Sequence, residues 1–158
     1  MADMVRVRSL TDITVSLYEP SIPINKTFEK RGAIIPFEKD KLIQLFYNSH
    51  LEEYIRAGIL AIDDKDFLYE VGFLTSPEET IQIIELTPNF LKRCISVMPV
   101  HELKNAIEQM SSIQRLELAQ YAIEHYNELM MDRIDIIGNA SGKNILKAIE
   151  QYKADQEG

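Results

Sequence analysis

Apolar residues stand at alternate positions twice near the start of the chain, at Val5 and Val7 and again at Ile13, Val15 and Leu17. A period of two is that of a half-buried strand, so two strands are expected here, with Thr11 and Asp12 at the turn between them. Glu19 to Asn25 (EPSIPIN) holds Pro20 and Pro23 and suits an extended loop or sheet edge rather than a central strand. Lys26 to Glu29 can add a strand, and Lys30, Arg31 and Gly32 read as a turn. The stretch Gly32 to Ile62 then organises the N-terminal half. Its apolar run Ala33 to Ile35 stops at Pro36, a helical stripe of Leu42, Ile43, Phe46 and Tyr47 follows, and a shorter helix with Leu51, Tyr54 and Ile55 ends at Gly58. Ile59 to Ile62 returns as a strand.

Asp63 to Asp66 can start a short helix through Phe67, Leu68 and Val71, ending at Gly72. Ser76, Pro77 and Glu79 form a capping-box pattern, but Ile81, Ile83, Ile84 and Leu86 are β-branched and alternating enough to predict a strand. From Thr87 onward the period is helical. Thr87 and Pro88 cap a helix through Met98; Pro99 opens another with Val100, Leu103, Ile107 and Met110 on its stripe. Ser111 and Gln114 form a capping box ahead of a long helix whose core positions run from Ile113 to Met130. A helical turn over Asp132 to Ile137 closes at Gly138, and Ile145, Leu146, Ile149 and Tyr152 mark a last helix, with disorder confined to the ends, chiefly Lys153 to Gly158.

These elements predict an α+β fold: a small N-terminal, mostly antiparallel β-sheet with short helices, followed by a C-terminal helical bundle. The division is expected between a β-rich subdomain, 1–76, and a mainly helical one, 77–158. At 158 residues the chain can bury a core without a metal or a disulfide. Its net charge of -8 is spread along the sequence, with acid exceeding base in both halves, so no basic domain exists to neutralise phosphates and no direct nucleic-acid binding is expected. Met1 to Arg8 lacks the apolar core of a signal peptide, and no apolar run approaches a membrane span, so the expected location is the cytosol or a particle assembled there.

Candidate chemistry is sparse. Gly138 to Asn144 (GNASGKN) imitates a phosphate loop but has three residues between its glycines instead of four, and Asn144 stands where magnesium needs a hydroxyl. Asp63, Asp64 and Asp66 lack the alternate spacing and central glycine of a calcium loop and suit a helix N-terminus instead. His101 and Glu102 are not followed by a second histidine at zincin spacing, and His125 and Glu128 share a helical face that reads as solvated. The lone Cys94 sits among Phe90, Leu91, Ile95 and Met98 as a buried hydrophobe, and no third group fixes it to His101 as a nucleophile and base. No catalytic, metal-binding or cofactor-binding residue is assigned.

The segments VRVRSLTDITVSLYEP, GAIIPFE, YIRAGILAI and ASGKNILKAI resemble, in order and character, a group of small proteins of tailed bacteriophages. The resemblance spans most of the chain and is to accessory virion proteins, with those of crAss-like phages as one candidate group. It implies a non-enzymatic structural role, an auxiliary capsid or head-associated protein that docks on the shell or neck. The implied partners are the major capsid protein or other virion subunits, in multiple copies per particle, and the implied location is the virion, assembled in the host cytoplasm. It carries over no functional residue. The alternative is a cytosolic phage regulator that binds a host protein through its helical half; a small enzyme using Cys94 or His125 ranks third. For docking, Leu17 to Ile24 has Glu19 as its only charge, and Tyr18, Ile22 and Ile24 are the expected interface residues, against the competing reading of a loop buried under the helices.

Overall fold

In the computed structural model, which describes residues 3–22, 24–81 and 83–157, the opening alternation becomes strand β1 (Met4–Ser9), with Val5 and Val7 inward and Met4 and Arg6 outward. The second alternation becomes β2 (Val15–Glu19), and Ile13 lies outside it, exposed. The turn at Thr11 and Asp12 does not close a hairpin. Ser9 Oγ donates to the Thr11 carbonyl (3.0 Å) and the Ile13 N–H donates to Thr11 Oγ1 (3.1 Å), a corner that sends β2 into a different sheet. There β2 pairs with β3 (Ile24–Phe28), so the expected strand over 26–29 begins earlier; Pro23 lies outside the described residues.

β1 instead lies in the middle of a three-stranded antiparallel sheet, between β4 (Ile34–Glu38) and β5 (Leu60–Ile62). β4 runs through Pro36, where a stop is predicted. The ladder explains this: the Lys39 N–H donates to the Asp3 carbonyl and the Ser9 N–H to the Ala33 carbonyl, which puts the bonded pairs at odd positions. Pro36 faces Arg6 at a non-bonded position of an edge strand, where its missing N–H costs no ladder bond. The same proline blunts the outer edge against pairing with another chain.

Helices α1 (Lys39–Asn48) and α2 (Leu51–Arg56) connect β4 to β5, as the organising stretch predicts, with Leu42, Leu45, Phe46, Leu51 and Ile55 buried. Helix α3 (Lys65–Glu70) is capped by Asp64, whose carboxylate accepts from the Phe67 N–H (3.1 Å). Phe46 meets Phe67 and Phe73 edge to face at 6.5 and 6.3 Å, so α1 and α3 share an aromatic core.

The chain divides into two compact units, Met1–Glu85 and Leu86–Gly158, whereas the composition places the change at 76/77. Residues 77–85 stay with the first unit, where Glu85 pairs with Arg8 (2.8 Å). The strand expected over Ile81 to Leu86 does not form in the described residues of that stretch; Gln82 lies outside them. The capping box at Ser76 also fails. Glu79 folds back on Thr75, accepting from its N–H (2.6 Å) and its hydroxyl (2.9 Å), which makes a turn and starts no helix.

In the second unit Thr87 caps α4 (Pro88–Ile95), Pro99 precedes α5 (Val100–Gln109), and Ser111 with Gln114 completes the capping box of α6 (Ser112–Glu124). α6 ends before the predicted Met130, which is half exposed, because the chain turns at His125 and the Met130 N–H bonds the Ile95 carbonyl at the end of α4. After a 3-10 turn (Met131–Arg133), α7 (Ile134–Ser141) passes through Gly138 and is closed by Gly142 at φ 74°. Gly138 suits a tight position: a Cβ there would stand 3.0 Å from the Lys143 carbonyl, which would have to give by a few tenths of an ångström. α8 (Ile145–Glu157) continues as helix through 153–157, where disorder is predicted, and α6 packs against α4, α7 and α8. The architecture is α+β, with eight α-helices among the described residues, strands in the N-terminal half and the later helices in the C-terminal half.

Gly142 has open space around its missing side chain, so Gly142→Ala tests backbone conformation alone. It is expected to cost about 1 kcal/mol in urea unfolding, the penalty for holding an L-residue in the left-handed region. No loss would mean that α7 closes in another way.

Candidate functional site

The residues singled out for docking lie on the β2–β3 ribbon, paired from Val15 opposite Phe28 to Glu19 opposite Ile24. Alternation puts Val15, Leu17, Ile24 and Phe28 into the core and leaves Ser16, Tyr18, Asn25 and Thr27 on the outer face. Tyr18 is 60% exposed. Ile22 and Ile24, by contrast, are 5% and 8% exposed, which withdraws both from the interface role and makes them core residues.

The turn accounts for this. The Ile22 N–H donates to the Glu19 carbonyl (3.1 Å), closing the chain over Pro20 and Ser21 and directing Ile22 inward. The Glu19 carboxylate accepts from the Ser21 hydroxyl (2.7 Å) and N–H (3.2 Å), and these bonds hold its carboxyl below the usual range. Across the outer face the Ser16 and Thr27 hydroxyls are 3.1 Å apart. The result is one aromatic ring among short uncharged hydrogen-bonding side chains, on a ribbon held by its buried side.

The other candidates are dispersed into structural roles. Asp64 caps α3, and Asp63 pairs with Arg8 (3.3 Å). Among the described residues no three His, Cys, Asp or Glu side chains gather as a metal site. Gly138 to Asn144 is a helix, turn and helix start instead of the strand, loop and helix of a phosphate site; Asn144 caps α8 by accepting from the Lys147 N–H (3.1 Å). His101 is exposed on α5, and His125 stacks on Tyr121 with ring centroids 3.9 Å apart, its Nδ1 3.0 Å from the Tyr121 carbonyl.

Cys94 is fully buried on α4, and burial pushes its thiol up to about 11, against the opposing pull of Arg93 and Arg133. Two results are expected. At pH 8 the folded protein should not react with iodoacetamide, and the unfolded protein should react readily. Because the unfolded thiol ionises near 9 and the folded one near 11, its stabilising contribution is complete below pH 9 and lost as pH rises toward 11. Rapid labelling of the native protein at pH 8 would show that the thiol is reachable after all.

A residue with no signal in the sequence pattern is Arg133. It is buried, and its Nη1 donates to the carbonyls of Met98 (2.7 Å) and Cys94 (3.1 Å), while Nε donates to Asp132 (3.0 Å). It ties the 3-10 turn to the end of α4, where the helix carbonyls lack intrahelical partners.

Among the described residues no helix is long and apolar enough to cross a membrane. Comparison with family models, with curated proteins and with solved structures finds no match for this chain.

Proposed function

We propose that the chain is a non-enzymatic structural protein of a tailed phage, an auxiliary capsid protein that docks on the shell or neck through the outer face of the β2–β3 ribbon. The observation that carries this reading is the exposed Tyr18 flanked by Ser16, Asn25 and Thr27. A tyrosine on a strand loses little freedom on binding and offers both apolar area and a hydroxyl, and aromatic anchors among short polar neighbours dominate many protein interfaces. The resemblance of the quoted segments to accessory virion proteins supplies the class of partner, the major capsid protein or another virion subunit. Mass spectrometry of purified particles tests it: the chain should be present in multiple copies, and its absence at every stage of assembly would defeat the proposal.

A second reading, a regulator binding a host protein through the helical unit, is favoured by Val97, Met130 and Met131, which are 75%, 54% and 83% exposed. The bond from Met130 to Ile95 draws the two methionines toward the turn that carries Val97. Methionine-rich surfaces adapt to different partners. Pull-down from infected cells separates the readings, since a regulator retains a host protein and a virion component retains the shell subunit.

A further inference from the structure

We draw no further inference here: the strongest candidate, the open cavity of about 590 Å³ between α7 and the start of α8, lined by Asp135, Asn139, Lys143 and Leu146 among others, rests on one helix N-terminus and an exposed lysine with no second feature pointing to a ligand.

Discussion

Arg133→Met is expected to destabilise the helical unit by about 3 kcal/mol, the sum of two orphaned carbonyls at roughly 1 to 3 kcal/mol each. Replacing a buried ion pair by apolar side chains is often harmless, because both charged partners leave together. Here two of the partners cannot leave: the carbonyls of Cys94 and Met98 belong to the backbone, and methionine gives them no donor. The third partner, Asp132, is mostly exposed and returns to water at little cost, so its loss adds little. Methionine fills much of the apolar volume of the arginine stem, which keeps a cavity term small.

For a unit of this size the loss corresponds to a fall of roughly 10 °C or more in melting temperature, readable by circular dichroism at 222 nm. Arg133→Lys should fall between the two proteins, since an ammonium keeps the charge but lacks the planar fork that reaches Met98, Cys94 and Asp132 together. A methionine variant within about 1 kcal/mol of the parent would show that the clamp is dispensable and that packing alone holds the turn to α4.

The contrast between Arg133 and the helix caps shows which parts of this fold are written locally. Thr87, Ser111 and Asp64 each bond an N–H three residues ahead, so a window of four residues contains the whole interaction and the helix start can be read from it. The two carbonyl partners of Arg133 lie 35 and 39 residues back, and no local window contains them. Sheet pairing is hidden for the same reason. The alternation at Val5 and at Val15 marks strands, but the corner at Ser9 and Thr11 decides that they join different sheets.

The two glycines of the α7 region make the point at one site. Gly138 reads as the helix stop, yet it lies inside α7, where a Cβ would stand 3.0 Å from the Lys143 carbonyl, and of the two it is Gly142 that adopts positive φ and closes the helix. The segment over 81–86 fails differently. Its β-branched residues suit a strand, but propensity does not name a pairing partner, and the described residues of the segment join neither sheet. At the docking site the alternation rule places Tyr18 outward, while the inward turn of Ile22 depends on the bond to Glu19 that apolarity alone does not reveal.

Tyr18→Ser and Ile22→Ser are expected to fail in opposite assays, and that separation tests the docking face. Tyr18 packs no core, so its replacement should change stability by less than about 1 kcal/mol, the range of an exposed strand position. If its ring anchors the contact with a shell subunit, its loss should weaken particle binding by about 2 kcal/mol, roughly 30-fold in Kd. Ile22 behaves in reverse. It is buried, so serine both removes apolar volume and buries a hydroxyl, and a stability loss of about 3 kcal/mol is expected with the ribbon's attachment weakened throughout. Asn25→Ala, beside Tyr18 across the ribbon, should give a smaller binding loss with an unchanged melting curve, as a neighbour that shields the ring from water would. Thermal melts of the isolated variants and co-sedimentation with particles assembled without this protein read both quantities. Unchanged sedimentation of Tyr18→Ser would remove the ribbon's outer face as the docking surface, and a melting drop as large as that of Ile22→Ser would make the ring part of the fold instead of part of a contact.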